Sequence, residues 1–326
     1  MTARPRFALF ALLLLWLAVL IGAPLVGSQP VSLESVWRGE PTAAAIFWQL
    51  RLPRVLLALL AGAGLAVSGL AFQTLFRNEL AEPYTLGIAT GAALGAVLSL
   101  RLEEAGLMLG MPLVSLASFA GALSATAIVV GLAWRRKGST ATLLLAGIAV
   151  SLSCSALILF LQYLSDSTQT FRMVRWMMGG LSVVGYSEVL WTAPWVLGGA
   201  GVLLALRWDL NLLLTGEELA ASRGVDLVRL RLRVLAVAAL MIGALVAVAG
   251  PIGFVGLMVP HMLRRWVGHD LLLLAPACLL GGGAFLATCD VAARTIMAPA
   301  ELPVGVLTAL LGGPFFLWLL VLGRKD

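Results

Sequence analysis

Long apolar runs recur along almost the whole chain, and they constrain its fold more than any other feature. Each run is about 20 residues long, which is the length that one helix needs to cross a bilayer. The chain is 61% hydrophobic and only 12% charged, whereas soluble domains carry about 25% charged residues. We therefore predict an all-α, polytopic transmembrane helical bundle that forms one domain over residues 1–326.

Ten segments have the length and composition of membrane spans. They are predicted at about 7–27, 51–72, 84–101, 113–134, 141–164, 190–207, 231–250, 252–267, 271–289 and 303–322. The eighth segment is short and rich in glycine and proline. Irregular backbone of this kind is tolerated in a membrane only where protein or a cavity covers it.

The distribution of basic residues predicts the orientation of the bundle. With the N-terminus inside, most of the 22 lysines and arginines fall in cytoplasmic segments, as the positive-inside rule requires, so both termini are predicted to be cytoplasmic. Arg51, Arg54 and Arg294 are exceptions on the outer face. Asp290 lies one helical turn before Arg294, so an ion pair between the two is one explanation for Arg294.

Motifs for bond chemistry are missing from the sequence. It contains no G-x-x-x-x-G-K-[ST] phosphate loop. The two histidines, His261 and His269, have no partner at a metal-ligand spacing. No basic stripe lies on a soluble face, so nucleic acid is not a predicted partner. We predict no catalytic residue, no cofactor and no metal site, and a role in moving or holding something in a membrane.

A short cytoplasmic helix is predicted within the inner segment 209–230. Its sequence, GEELAASRG (216–224), places two glutamates where they favour a helix N-terminus and a glycine where a helix ends. The residues that define the motif are Gly216, Glu217, Glu218, Ala220, Ala221 and Gly224. With small residues facing outward, this helix would fit a groove on another protein; a solvated loop is the alternative.

Two further stretches carry polar or small residues beside spans. Gly87, Gly91 and Gly95 recur every fourth residue, which favours close helix packing. Ser151, Ser155 and Gln162 fall on one stripe of the fifth span. Such residues line a water-filled path, or their hydroxyls bond back to their own helix.

Six motifs taken together resemble one family. They are RLPR (51–54), RNELAEP (77–83), GEELAASRG (216–224), GFVGLMVPHMLR (253–264), DVAAR (290–294) and ELPVGVLTALLGGPFF (301–316). In this order and spacing they resemble the FecCD/BtuC family, the permease subunits of ABC importers for ferric siderophores, haem and vitamin B12. The resemblance covers nearly the whole chain.

The resemblance implies an assembly in the inner membrane of a prokaryote. It implies ten helices per subunit, a homodimer with the path along its two-fold axis, and contact with membrane lipid. It also implies two cytoplasmic ATP-binding subunits, which would hydrolyse ATP, and a periplasmic or lipid-anchored substrate-binding protein. The cargo would be an iron complex (ferric siderophore or haem) or cobalamin, and the iron complex is favoured because it is the commoner cargo.

The resemblance also implies roles for particular residues. Arg51, Arg54 and Arg294 match arginines that dock the binding protein, and 216–224 matches the helix that couples to the ATPase. The gate residues implied are Asn78, Leu80, Ser139 and Thr140. Glu79 stands where relatives usually have proline, which puts the stiffness and electrostatics of this gate in doubt.

Two other functions are considered. An ion-coupled secondary transporter needs an acidic residue near mid-membrane, and every Asp and Glu is predicted at a span end or in a connection. A non-transporting scaffold is disfavoured by the polar stripe of the fifth span and by the broken eighth span. The outer stretch 165–189, with Arg172 and Arg175, is predicted to include a short interfacial helix and to vary with the cargo.

Overall fold

Helices form all of the regular structure in the part of the chain that this computed structural model describes, residues 3–27, 32–104, 110–134 and 140–322. The α-helices are α1 (Ala3–Gly22), α2 (Leu33–Trp37), α3 (Pro41–Ala45), α4 (Leu52–Leu75), α5 (Ile88–Glu104), α6 (Gly110–Trp134), α7 (Thr140–Tyr163), α8 (Ser167–Met177), α9 (Ser187–Ala205), α10 (Arg207–Leu214), α11 (Glu217–Ser222), α12 (Leu227–Ala249), α13 (Val255–Val267), α14 (Leu271–Thr295) and α15 (Val304–Leu322).

All ten predicted spans correspond to helices. Seven are long and apolar enough to cross a membrane: α1, the continuous helix Pro41–Leu75 that includes α4, and α6, α7, α9, α12 and α14. Apolar parts of α5 and α15 are shorter, and α13 has 13 residues. The prediction of an all-α polytopic bundle is therefore confirmed.

Several predicted boundaries were wrong. A π-helical turn, Ile46–Arg51, joins α3 to α4, so the second span starts before residue 51. The third span begins at Ile88, because Pro83–Leu86 form a separate 3-10 turn that ends at Gly87, where φ is +79°. The ninth span continues to Thr295, which places Asp290 inside α14 rather than beyond it.

The centre of the bundle is α4. The described structure encloses 83% of its most apolar window, compared with 17% for α1. Helices α13 and α14 pack against it through backbone contacts: a Cβ added to Gly69 would lie 1.9 Å from the carbonyl oxygen of Gly256, and one added to Gly62 would lie 2.1 Å from that of Gly282. Real Cβ atoms do not approach this closely, so the packing requires glycine.

The predicted glycine stripe also packs helix to helix. Gly91 and Gly95 of α5 contact Gly121 and Ala117 of α6 at distances that leave no room for a Cβ. Small residues at such interfaces allow the van der Waals packing that holds helices together in lipid. Helix packing therefore explains these two glycines.

The break before α13 lies where the sequence predicts irregular backbone. Helix α12 ends at Ala249, Gly250 has φ +65°, and α13 begins after Phe254, which has φ +68°. The carbonyl oxygen freed at Ala249 accepts a 2.7 Å bond from the N–H of Gly180. The break is therefore compatible with membrane depth, since another segment supplies the missing backbone partner.

Substitution of Gly69 by alanine tests the packing of α4. We expect Gly69→Ala to lower the thermal midpoint of the detergent-solubilised protein strongly, because the new methyl group overlaps the backbone of α13. Gly198→Ala in α9 is the matched control, since no atom lies within 4 Å of a Cβ there; its effect should stay within about 1 kcal/mol. Equal midpoints for the two variants would contradict this packing.

Candidate functional site

The three predicted outer arginines lie together at one end of α4 and α14. Arg51 is the last residue of the π-helical turn, Arg54 is in the first turn of α4, and Arg294 is in the last turn of α14. Asp290 and Glu301 join them. We call these five residues the outer arginine cluster.

Asp290 is the centre of this cluster. Its Oδ1 lies 2.9 Å from Nη2 of Arg54, and its Oδ2 lies 3.6 Å from Nε of Arg294. Arg54 also contacts Oε2 of Glu301 through Nη1 at 2.7 Å. The predicted pair of Asp290 with Arg294 exists, but the shorter contact of Asp290 is to Arg54. Sequence spacing could not show that contact, because the two residues are 236 positions apart.

The arginines are more enclosed than a docking role alone requires. Arg294 is 3% exposed and donates a 2.9 Å bond to the carbonyl oxygen of Ala23. Arg51 is 7% exposed and donates 3.3 Å bonds to the carbonyl oxygens of Pro24 and Leu25. These bonds fix the chain after α1 against the bundle. Three arginines and two carboxylates leave the five side chains with one excess positive charge.

Removal of the Asp290 charge should destabilise the protein. Asp290 is 1% exposed and faces the buried Arg294 and the half-buried Arg54, so Asp290→Asn removes the neighbouring counter-charge of Arg294 and leaves Arg54 with Glu301 alone. We expect a loss of about 3–5 kcal/mol, measured as a lower thermal midpoint. The exposed pair Glu34–Arg38 provides the control, since Glu34→Gln should cost at most about 1 kcal/mol. Similar losses in both variants would show that Asp290 is not the centre of the cluster.

Two of the predicted gate residues lie at the opposite, inner end of α4. Asn78 and Leu80 are exposed in the α4–α5 connection (residues 76–87), where the N–H of Leu80 donates a 2.9 Å bond to Oδ1 of Asn78. Thr140 is the first residue of α7. Ser139 lies outside the described residues. Their role as a gate stays a prediction.

Glu79 contacts α13. Its Oε1 lies 3.5 Å from Nη1 of Arg264, and its Oε2 lies 3.4 Å from Nδ1 of His261. The Arg264 side chain is only 11% exposed, whereas Glu79 is half exposed. Among the described residues, no three His, Cys, Asp or Glu side chains are grouped as a metal site.

The predicted short cytoplasmic helix is α11. Gly216 precedes the helix with φ +125°, and Gly224 follows it with φ +89°. The helix therefore starts and ends at the two glycines of the motif, and Gly224 has the positive φ that was predicted for it. Glu217 pairs with Arg231 of α12 at 2.7 Å, which anchors the helix to the bundle.

The expectation that both alanines of this helix face outward was wrong. Ala220 is fully buried, because it packs against the bundle, while Ala221 is exposed. Glu218 and Leu219 are also exposed, and Leu219 is 43% accessible. The surface available to a partner is therefore formed by Glu218, Leu219, Ala221 and Ser222.

A cavity of about 780 Å³ lies between α5, α7, α15 and the break before α13. Ser155 and Gln162, two of the residues predicted to line a path, line this cavity beside Met177 and Phe254. Ser151 does not line it; its hydroxyl donates a 3.3 Å bond to the carbonyl oxygen of Tyr84. The three residues therefore do not share one role: Ser155 and Gln162 line the cavity, whereas Ser151 bonds to a different segment of the chain.

Glu82 is the one carboxylate among the described residues that line this cavity, and sequence reasoning missed it. It lies in the α4–α5 connection, next to Tyr84, whose buried hydroxyl has no hydrogen-bond partner among the described residues. Burial raises the pKa of Glu82 to about 7, although a bond from the backbone N–H of Phe254 acts in the opposite direction. The cavity therefore contains a group that titrates near neutral pH.

The raised pKa of Glu82 predicts a pH dependence of stability. Between about pH 4.5 and 7 the folded protein holds a proton that the unfolded chain has released, so the free energy of unfolding falls as pH rises through this window. Glu82→Gln removes this contribution. We expect a flatter profile of thermal midpoint against pH for Glu82→Gln than for the parent, while Glu40→Gln, at an exposed position, keeps the parent's slope. Equal slopes for Glu82→Gln and the parent would contradict the raised pKa.

Comparison with known proteins places the chain among transport proteins. The profile of the FecCD transport family matches residues 11–322. The hemin transport system permease protein of Yersinia pestis is 41% identical, with 99% of this chain and 98% of the relative covered. The vitamin B12 import system permease protein of Shigella boydii is 39% identical, with 97% and 95% covered.

A solved structure is also similar over almost its full length. It is described as an inward-facing conformation of a putative metal-chelate type ABC transporter. The similarity has a TM-score of 0.88 at 32% identity, and it covers 96% of this chain and 98% of the solved one.

Proposed function

The chain belongs to the FecCD transport family, and we propose that it forms, with a second copy of itself, the path through which a metal chelate or cobalamin enters the cell. It is the permease subunit of an ABC importer, and it is a multi-pass protein of the bacterial inner membrane. The similarity to importer permeases over the whole chain carries this conclusion. It does not support an ion-coupled transporter.

The cavity supports the role of a second copy. Leu159 of α7 and Leu310 of α15 line it, yet they are 65% and 63% exposed. One copy therefore does not enclose the cavity. A second copy placed against α7 and α15 would close it and produce a path between the two subunits, with Ser155 and Gln162 among its lining residues.

The cytoplasmic face supports coupling to an ATP-binding subunit. The exposed residues of α11 form a small surface, and Leu219 is its one large apolar side chain. The salt bridge between Glu217 and Arg231 connects this surface to α12. A push on α11 is therefore transmitted to a long helix of the bundle, while ATP hydrolysis takes place in the partner.

The cargo belongs to the group that the relatives transport. The names of the similar proteins mention hemin, vitamin B12 and metal chelates. We propose a metal complex of this size class, an iron complex or a cobalamin, which a separate binding protein delivers to the outer face.

The outer arginine cluster supports the docking of that binding protein. Its excess positive charge would attract carboxylates on the partner, and such charges increase the rate of association. Arg51 and Arg294 are enclosed, so they do not contact the partner as separate exposed side chains. The partner instead experiences the net charge of the whole cluster. Arg54, at 12% exposure, and Glu301, at 41%, lie closest to solvent.

Variants of opposite sign test this docking. We expect Arg51→Glu/Arg54→Glu to weaken binding of the substrate-binding protein, and Glu301→Gln to strengthen it, because the two changes move the cluster charge in opposite directions. Both effects should shrink at high salt, where the Debye length falls to about 3 Å at 1 M. Surface plasmon resonance at two ionic strengths measures them.

Glu301→Gln keeps the docking test independent of folding, since a destabilised protein cannot bind more tightly. If both variants bind the substrate-binding protein with unchanged affinity at low salt, the cluster is not part of the docking surface.

A further inference from the structure

The α4–α5 connection carries two carboxylates, Glu79 and Glu82, three residues apart, and both contact α13. Glu82 accepts a hydrogen bond from the backbone N–H of Phe254, immediately before α13. Glu79 lies beside His261 and Arg264 in the second half of the same helix. The connection is therefore attached to α13 at two separate points.

The contact at Glu82 completes the start of α13. Phe254 occupies the N-cap position in a left-handed conformation, and its own side chain makes no capping bond. The first N–H groups of a helix need acceptors from outside the helix, and a carboxyl oxygen can serve as one of them. Glu82 supplies this acceptor from a different segment of the chain.

The contact at Glu79 supplies a counter-charge to Arg264. The Arg264 side chain is 11% exposed, and its enclosed Nη1 has no hydrogen-bond partner among the described residues. Glu79 is the carboxylate that pairs with it. Movement of Glu79 away from Arg264 would leave an enclosed positive charge without its partner, which costs free energy. The pair therefore holds Glu79 beside α13.

Residues beside these contacts are held by burial or by a hydrogen bond. Ala81 and Pro83 are buried. Asn78 and Leu80 flank Glu79, and the bond from the Leu80 N–H to the Asn78 side chain closes a tight turn. We therefore expect a displacement of α13 to move Asn78 and Leu80 with it.

We propose that Glu79 and Glu82 are positioning residues of the inner gate, which tie the segment carrying Asn78 and Leu80 to α13 so that this helix moves the gate. The inference rests on the proposed gate and importer function. It also gives a role to Glu79, which stands where the resemblance predicts proline. A proline there would leave Arg264 without the negative charge that Glu79 provides.

Chemical labelling of the gate tests the proposal. Leu80 is 54% exposed, and the three native cysteines, Cys154, Cys278 and Cys289, are buried, so Leu80→Cys provides one reactive thiol. The permease, assembled with its ATP-binding subunits and reconstituted in vesicles, is labelled with a membrane-impermeant maleimide. The labelling rate is measured without nucleotide and after trapping with ATP and vanadate.

We expect trapping to change the labelling rate in the Leu80→Cys protein. Adding Glu79→Gln and Glu82→Ala, which remove the counter-charge of Arg264 and the acceptor for the Phe254 N–H, should reduce the ratio of the two rates at least about fivefold, since the loss of one ordinary contact changes a population by about that factor. Each single change should have a smaller effect. Glu40→Gln, at an exposed position outside both contacts, should leave the ratio unchanged.

The outcomes separate this proposal from the function on which it rests. A trapping effect that persists in full in the double variant would overturn the positioning role while leaving the importer intact. If trapping has no effect even in the Leu80→Cys protein, coupling of the gate to ATP is wrong, and the positioning role fails with it. Glu79→Gln alone keeps the test valid if Glu82→Ala does not fold, because Glu79 is half exposed.

Discussion

Direct backbone contact between α4 and its neighbours is the constraint on which the rest of the structure depends. Gly62 and Gly69 of α4 place this helix against Gly282 of α14 and Gly256 of α13. In lipid no hydrophobic force drives helices together, so close packing of this kind provides much of the attraction. It also places one end of α4 beside α14, which carries Asp290 and Arg294, and the other end beside α13, which carries Arg264.

The same alignment accounts for both faces of the permease. At the outer end, α4 and α14 bring Arg54 within 2.9 Å of Asp290. At the inner end, Gln73 of α4 donates a 3.1 Å bond to the carbonyl oxygen of Gly256, and the connection that follows α4 reaches along α13. One central helix therefore links the surface proposed for the binding protein to the proposed gate.

Sequence reasoning was accurate where the physics is local. The glycine that ends α11, Gly224, was predicted because a positive φ depends on the residue itself. The burial of Ala220 was not, because the side that a short helix presents is set by its tertiary packing. The Arg54–Asp290 contact and the place of Glu82 in the cavity depend on residues far apart in the chain or on a connection that folds back into the bundle.

Native mass spectrometry of the tagged chain, purified gently from its own host membrane, tests the central claim most directly. The importer function predicts a complex of two copies of this chain with two copies of an ATP-binding subunit. Leu219→Glu, on the exposed surface of α11, should reduce the amount of that subunit, whereas Val184→Glu, at an exposed outer position, should not. A dimer or monomer that never carries an ATP-binding subunit, in any detergent that preserves the fold, would contradict the account.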